Sequence, residues 1–393
     1  MSGTVAQRDR DAKAIRLLAG ERAFVGIDNH KKDFRVSVWG ERQEREVAAW
    51  VQPPAPAVLM NRLAPYRAQV ARIAYEAGPM GYGLLRALQA DGWPAMMAAP
   101  SRTPKARSKR PKSDALDARL LASYCAKGTL WPVCAPTPQE EADRQVVRQR
   151  ERAIRDRRRA KQRIKSFLLP HGLEEPAGLG GWSRRGVEGL GALALSAELR
   201  FTLDQLLETL AHAQRQVVAA TRAVRGLSQS PRHRRSVQRY RTAPGIGLIG
   251  AMTFETQLLR PERFDSPREV AAYLGLAPLT EGSGDQRYDG PLMPTGNPRL
   301  RVALIEAAWR YVRLDPGAAA RFGRLSHRRG SSKKAIVALA RRLGVTLWRM
   351  RVTDQPYDPA KAAPGRATRR RQPGLSSATK EARPPKGPRL ALA

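Results

Sequence analysis

Short apolar runs alternate with amphipathic segments over the first hundred residues of the chain. Apolar runs bounded by turns predict strands, and apolar positions three or four residues apart predict helices. The predicted strands are residues 23–28, 34–39, 71–76 and 93–98, and the predicted helices are residues 57–66 and 84–90. The first two strands, separated by a short turn, are typical of a hairpin. Strands alternating with helices indicate an α/β layer.

The middle of the chain has the pattern of two long, charged helices, at residues 140–169 and 196–226. A glycine-rich run at residues 178–191 separates them. This arrangement favours an antiparallel helical hairpin, with a coiled coil as one possible form. Such an arm would be a spacer and dimerisation element whose arginine face touches nucleic acid. A plain helical linker explains the pattern equally well.

The last folded unit, residues 236–350, is predicted to be mainly helical. Its segment Ala243-Pro244-Gly245-Ile246-Gly247 has the form of a helix–hairpin–helix turn. Glycines such as Gly245 and Gly247 let backbone N–H groups approach a phosphate at a helix N-terminus. Such a turn also occurs as an ordinary connection between two helices, so the motif alone is weak support for nucleic-acid binding.

Two further helices are predicted in this unit, one beginning at Gly296-Asn297-Pro298 and one over residues 333–351. Arg299, near the start of the first, is expected to join Gly245 and Gly247 in contacting nucleic acid. From residue 354 the chain is rich in Pro, Gly, Ala and Arg. This composition predicts a disordered basic tail.

The amino-acid composition narrows the class of molecule that the protein is expected to bind. The 393 residues include 71 Lys and Arg against 35 Asp and Glu, a formal net charge of +36. A surplus of this size favours a polyanionic partner, and nucleic acid is the leading one. Cys125 and Cys134 lie outside any Cys/His cluster, which argues against a disulfide framework or a zinc site. The absence of a long apolar run and of an apolar signal core predicts a cytoplasmic protein with no membrane partner.

Four carboxylates stand at positions where open α/β folds commonly have ligand-binding or catalytic residues. Asp28 and Glu76 each end an apolar strand, and open α/β sheets bind ligands at strand ends. Asp114 and Asp117 lie three residues apart in a helix predicted over residues 113–124, so they share one face.

The predicted acidic helix also has an apolar side. Leu116, Leu120 and Leu121 are expected to pack that side against a core. Acids in a first helical turn are common in ordinary helices, because the helix dipole favours them there.

Clustered carboxylates repel one another unless cations neutralise them. Ligand sets made only of oxygen suit Mg²⁺ or Mn²⁺. Two such ions about 4 Å apart can stabilise both the attacking and the leaving oxygen of a phosphodiester. The four acids therefore predict a metal site for nucleic-acid chemistry, against the alternative of four unrelated surface acids.

A basic stretch at residues 101–112 leads into the acidic helix and contains no acid. Its cations fit an element that grips a nucleic-acid backbone, although a solvated loop is the simpler explanation. The cations are Arg102, Lys105, Arg107, Lys109, Arg110 and Lys112.

Taken in order, these motifs resemble the DEDD transposases of insertion sequences, the Piv-type recombinases that are guided by a bridge RNA. The proximal motifs are Gly26-Ile27-Asp28, Tyr75-Glu76-Ala77-Gly78 and Lys112-Ser113-Asp114-Ala115-Leu116-Asp117-Ala118. The distal motifs are Pro244-Gly245-Ile246-Gly247, Ala272-Tyr273-Leu274-Gly275-Leu276-Ala277-Pro278, Gly282-Ser283-Gly284 and Thr295-Gly296-Asn297. The resemblance covers about residues 23–350, and the two halves in this order make it specific.

The resemblance implies a RuvC-like, RNase H-type catalytic domain at residues 23–135, after a lead-in at 1–22. It further implies a coiled-coil arm (136–235) and a C-terminal transposase domain (236–352), followed by the basic tail (353–393). The metal-binding acids would be Asp28, Glu76, Asp114 and Asp117, and the nucleophile would be Ser283. The implied partners are donor and target double-stranded DNA, a guide RNA, and a second protomer in a homodimer that assembles to a tetramer.

A serine hydroxyl needs activation, and no histidine stands near Ser283 in sequence. The resemblance implies a composite site, in which the acids of one protomer and their metals meet the serine of another. The chain departs from the family pattern at Gly282, where a second serine or polar residue is usual. It also has Asn29-His30 in place of the usual apolar-small pair.

Two other functions remain open from the residues alone. A metal-dependent nuclease of the Holliday-junction resolvase type needs the four acids but neither Ser283 nor the distal domain. A basic architectural protein that binds nucleic acid without catalysis needs neither set.

Overall fold

The computed structural model describes residues 15–100, 102–103, 114–281 and 288–359. The N-terminal part is built on a sheet with the strand order β3-β2-β1-β4-β5. Its strands are β1 (Ala23–Asn29), β2 (Phe34–Gly40), β3 (Arg45–Gln52), β4 (Val70–Glu76) and β5 (Ala95–Ala98). β1, β2 and β3 pair antiparallel, whereas β1, β4 and β5 pair parallel. The predicted α/β layer and its hairpin are therefore confirmed.

Helices cover both faces of this sheet. On one face, apolar residues of α1 (Pro56–Leu63) and α2 (Gly83–Ala90) pack with Ile27, Ile73 and Tyr75 in one core. On the other face, Leu121 and Cys125 of α3 (Asp114–Ala126) pack with the opposite side chains of the strands in a second core. Burial on both faces explains why β1 is a nearly continuous apolar run rather than an alternating one.

Two parts of the N-terminal domain differ from the predictions. β3 is not recognisable from the sequence, because its charged residues Arg45 and Glu46 make it a poor strand by propensity; pairing with β2 decides its conformation. Residues 15–22 are not a loose lead-in. Glu21 is fully buried, and its carboxylate accepts hydrogen bonds from the backbone of Leu18 and from Gln43.

The two long helices of the middle segment, α4 (Pro138–Leu168) and α6 (Ala197–Ser228), lie side by side. Hydrogen bonds join Arg150 to Thr221 and Arg157 to Gln214, so one residue number rises as the other falls and the helices run antiparallel. The buried residues of α6 include Leu203, Leu210, Val217 and Val224. Their seven-residue spacing is that of a coiled-coil seam.

The glycine-rich break between these helices contains structure that the sequence pattern did not predict. A 3₁₀ turn (Leu179–Gly181) is followed by α5 (Arg184–Gly191). Leu179 and Leu190 are completely buried against the ends of the two long helices. The break therefore caps the end of the helical hairpin.

The C-terminal part is mainly helical. Its helices are α7 (Pro231–Tyr240), α8 (Leu248–Leu258), α9 (Pro267–Tyr273), α10 (Pro298–Leu314), α11 (Pro316–Arg329) and α12 (Ser332–Val352). A two-stranded antiparallel sheet, β6 (Pro278–Glu281) and β7 (Tyr288–Leu292), stands between α9 and α10. α10 and α12 share one apolar core with α8. The predicted start of α10 is confirmed, since the side chain of Asn297 caps its first turn. Ser266 caps the first turn of α9 in the same way.

Two details of this part were not predicted. α11 begins with Pro and Gly and is glycine- and arginine-rich, yet Asp315 caps its first turn and it packs on α12. The segment 353–359 is not part of a disordered tail. Asp354 pairs with Arg235 and Arg239, and the hydroxyl of Tyr357 is 2.8 Å from that of Tyr311. Residues 360–393 lie outside the described part.

Among the helices of the described residues, none combines the length and the apolar character that a membrane span requires.

Candidate active site

The first two predicted acids stand together at one edge of the sheet. Asp28 is the penultimate residue of β1, and Glu76 is the last residue of β4. The parallel register pairs Ile27 with Tyr75, so the residues that follow them reach the same edge. Because side chains alternate along strands, Asp28 and Glu76 both stand on the face that α3 covers.

The third acid comes from α3, which packs unusually close to β1. A Cβ atom on Gly26 would lie 2.2 Å from the carbonyl oxygen of Ala118 and 2.4 Å from the nitrogen of Ala122. Farther along the helix, Leu121 and Cys125 pack with Phe24. α3 therefore runs antiparallel to β1, with its N-terminal turn toward the strand ends.

This packing confirms Leu121 on the predicted apolar side of the acidic helix and corrects the position of Leu120. The residues of α3 that lie against the sheet are Ala118, Leu121, Ala122 and Cys125, which are all buried. Leu120 is only half-buried, and the side chain of Leu116 lies outside the described residues. Ala118 and Ala122 stand beside Gly26, where the helix backbone approaches the strand most closely.

Asp117 is half-buried beside Ala118. It lies on the turn of α3 that faces the ends of β1 and β4. Asp114 begins the same helix, and its side chain is outside the described residues. The elements carrying the four acids thus meet at one edge of the sheet.

The close contact between Gly26 and the backbone of α3 predicts that one added methyl group lowers the stability of the protein. Replacing Gly26 by alanine should lower the free energy of unfolding by about 3 kcal/mol, since the added methyl group meets backbone rather than a flexible side chain. Urea unfolding measures this change. Gly83→Ala is the matched control, because its Cβ would have no atom within 4 Å; it should be neutral or slightly stabilising. Equal stability of the two variants would contradict the close contact.

A buried tyrosine anchors the turn that follows Glu76. The hydroxyl of Tyr75 accepts a hydrogen bond from the backbone nitrogen of Leu85 at 3.1 Å and donates one to the carbonyl of Gly81 at 3.4 Å. Burial raises the pKa of Tyr75 to about 12, so the hydroxyl keeps the hydrogen that it donates. These bonds hold the 78–83 turn beside the acidic edge.

The donor chemistry of this edge fits a hard divalent cation. Asp28, Glu76 and Asp117 carry carboxylate oxygens on neighbouring elements at this edge, and such oxygens are the ligands that Mg²⁺ and Mn²⁺ prefer. Within the described residues, no three His, Cys, Asp or Glu side chains are already gathered as a metal cluster. The acids stand on adjacent elements without a closed ligand shell among those residues.

A histidine also lies at this edge, and the sequence reasoning did not assign it. The Nε2 atom of His30 is 2.8 Å from Oδ2 of Asp28. The two residues are two apart at the end of a strand, a spacing that places side chains on the same face. This spacing was the available signal. Arg35 stands opposite Asp28 in the β1–β2 register.

Of the cations in the basic stretch that are predicted to contact nucleic acid, Arg102 is the one that the described residues include. Arg102 is exposed, and its guanidinium lies 4.8 Å from the ring centroid of Trp131. The other cations of the basic stretch, Lys105, Arg107, Lys109, Arg110 and Lys112, lie outside the described residues, as does Ser283 between β6 and β7.

The glycine turn at residues 243–247 packs against α10, a role that its helix–hairpin–helix motif did not predict. Gly245 has a φ of +85°, and a Cβ there would lie 2.5 Å from the Ala307 carbonyl oxygen of α10. Gly247 is exposed at the start of α8. Arg299 forms an ion pair with Glu151, with 2.7 Å between Nε and Oε2, which ties α10 to α4. The nucleic-acid contacts assigned to these three residues stay predictions.

A second polar cluster, also missed from the sequence, lies between α4, α7 and α8 beside a cavity of about 320 Å³. Buried His233 places Nε2 2.9 Å from Asp143 Oδ2 and Nδ1 3.8 Å from Glu255 Oε1. The neighbouring Glu255 carboxylate and the hydrogen bond to Asp143 raise the pKa of His233, while burial opposes them. Arg232 also pairs with Asp143. The pairs of Asp143 with Arg232 and His233 join residues 89 and 90 positions apart in sequence and hold α4 to the C-terminal helices.

Comparison with known proteins agrees with this architecture. A family model described as the transposase of the IS116/IS110/IS902 family matches residues 237–323, and a DEDD transposase model of IS110 elements matches residues 25–171. A protein of Sinorhizobium fredii whose name includes transposase y4qE is 31% identical over 299 residues, 74% of this chain and 72% of its own. The transposase for insertion sequence element IS1533 of Leptospira borgpetersenii is 25% identical over 279 residues, 70% of this chain and 79% of its own. The chain therefore belongs to the IS110 family of insertion-sequence transposases.

Proposed function

We propose that this transposase exchanges DNA strands under the guidance of a bridge RNA, through a metal-assisted acidic site and a serine nucleophile. The single observation that carries the proposal is the meeting of Asp28, Glu76 and the Asp117 helix at one sheet edge. Asp114 would complete the acidic set. The N-terminal domain would then be RuvC-like, with the helical hairpin as its arm.

Each group has a defined task in this proposal. The carboxylates of Asp28, Glu76, Asp114 and Asp117 would hold Mg²⁺ or Mn²⁺. When bound, such ions neutralise charge on the phosphate and stabilise the leaving oxygen. The Ser283 oxygen would attack phosphorus and lose its proton to a base in the assembled site. The P–O bond to the deoxyribose would break as the Ser283–phosphorus bond forms, and the departing oxygen would take up a proton.

The covalent phosphoserine would conserve the energy of the broken phosphodiester bond. The free hydroxyl of a second strand can then displace the serine without ATP. The acids of one protomer and Ser283 of another would form the composite site, which requires at least a homodimer and, for two pairs of strand ends, a tetramer. Since the substrate of this chemistry is DNA, we propose that the protein is cytoplasmic and associated with the nucleoid.

The charge distribution supports nucleic-acid binding in this proposal. The net charge is +36, and the arm presents several exposed arginines on α4. They are Arg152, Arg155, Arg158, Arg159 and Arg163. Backbone contacts from such groups carry no sequence information, so base pairing by the guide RNA would select donor and target. Arg102 and the remaining cations of the basic stretch would grip DNA beside the acids.

A reconstituted reaction tests the proposed function. Purified protein, donor and target DNA, and RNA transcribed from the non-coding DNA beside the reading frame should give joined products only when RNA and Mg²⁺ or Mn²⁺ are both present. Changing the RNA loops that pair with the target should redirect the products to a matching new target. Equal product yield without RNA would contradict guidance, and cutting without joining would favour the metal-dependent nuclease.

A further inference from the structure

His30 lies beside the first acid, Asp28, and has no task in the strand exchange proposed above. We infer that His30 is a nitrogen ligand of the metal held by Asp28, and that it favours Mn²⁺ over Mg²⁺. This inference rests on the proposed function, because it requires a cation at the acidic edge. It concerns a residue outside the four acids.

The distance between the two side chains matches a shared ion. Ligands about 2.1 Å from a divalent ion and at right angles to one another are about 3.0 Å apart. The Nε2 atom of His30 lies 2.8 Å from Oδ2 of Asp28. Asp28 is the penultimate residue of β1 and His30 directly follows the strand, and their side chains already meet, so one ion can bind both without a change in the strand.

The backbone fixes where His30 stands while its ring can still turn. Its backbone nitrogen donates a hydrogen bond to the carbonyl of Asp33 at 3.1 Å, which closes the turn between β1 and β2. The side chain is 49% exposed, against 20% for Asp28. Solvent and dissolved ions therefore reach the ring.

When His30 changes from a hydrogen-bond donor to a metal ligand, the number of protons on its ring stays the same. A neutral imidazole carries one N–H, and the other nitrogen has a free lone pair. In the hydrogen-bonded pair, Nε2 carries the hydrogen that the Asp28 oxygen accepts. As a ligand, Nε2 presents its lone pair and the hydrogen resides on Nδ1. Only the position of that hydrogen within the ring differs between the two arrangements.

An imidazole among carboxylates changes which ion the site prefers. Oxygen ligands alone suit Mg²⁺, whereas imidazole nitrogen binds first-row transition metals better. His30→Ala should therefore weaken Mn²⁺ binding about tenfold and leave Mg²⁺ binding nearly unchanged. Titration calorimetry on the full chain without an affinity tag measures both affinities.

Pulsed electron paramagnetic resonance of the Mn²⁺-loaded full chain tests the ligand directly. The wild type should show modulation from a directly bound ¹⁴N nucleus, and labelling histidine with ¹⁵N should change that modulation. His30→Gln should lose it, since glutamine can still hydrogen-bond to Asp28 but has no imidazole nitrogen. His212→Ala, on the exposed face of the arm, should keep it.

The outcomes separate the inference from the proposed function. Mn²⁺ binding that depends on Asp28 but shows no nitrogen modulation would overturn the role of His30 and leave the acidic site intact. Nitrogen modulation that persists in His30→Gln would overturn it as well. Mn²⁺ binding unaffected by Asp28→Asn would overturn both the acidic site and the His30 inference. Loss of modulation in His30→Gln, with Asp28-dependent binding retained, supports the inference.

Discussion

Replacing Ser283 by alanine is expected to eliminate strand exchange and the covalent protein–DNA adduct. Removal of a catalytic nucleophile lowers rates by a factor on the order of 10³ or more, because the remaining groups cannot form the covalent intermediate. Metal binding and guide-RNA binding should persist, since the acids and the basic surfaces are unchanged. A denaturing gel with guide RNA and a nicked suicide DNA substrate would show the wild-type adduct as a shifted band.

Ser332→Ala is the matched control. Ser332 is exposed at the first position of α12, where alanine is well tolerated. Ser331 is less suitable, because its hydroxyl caps that helix by accepting a hydrogen bond from the Lys334 nitrogen. An adduct that still forms with Ser283→Ala, or DNA cutting at the wild-type rate, would mean that water or another residue attacks. The metal-dependent nuclease would then be the better description.

Exchanging any one acid for its amide should abolish recombination without unfolding the protein. The variants are Asp28→Asn, Glu76→Gln, Asp114→Asn and Asp117→Asn. An amide has nearly the same shape but no charge to hold a divalent ion, and losing several kcal/mol of charge stabilisation slows the reaction about 100-fold or more. Stability without metal should be equal or slightly higher, since one like charge fewer remains in the cluster.

Thermal unfolding gives this prediction a second readout. Mn²⁺ should raise the melting temperature of the wild type, because an ion that binds only the folded state stabilises it. The shift should be absent in the four acid variants. Glu41→Gln, in the same domain but paired with Arg22, should keep both the shift and the activity. A quadruple acid variant that recombines DNA normally would show that the carboxylates are structural.

Much of the fold follows from local patterns. The apolar runs that end in Asp28 and Glu76 predicted β1 and β4, and both are confirmed. The boundaries of α4 and α6 are also close to prediction, because long helices leave a repeated signal and a proline or serine marks their first turns. Local pattern failed for β3, whose charged residues are strand-like only when paired with β2.

The sequence by itself determined the order of the motifs, the charge surplus and the positions of the acids at element ends. Tertiary structure alone decided which side of the acidic helix meets the sheet. Gly26 has no Cβ, so the backbone of α3 at Ala118 and Ala122 can lie directly against β1, with Leu121 packed beside them. It alone also joined Asp143 to His233. Such a contact depends on how the chain returns after 90 residues, and no local periodicity carries that information.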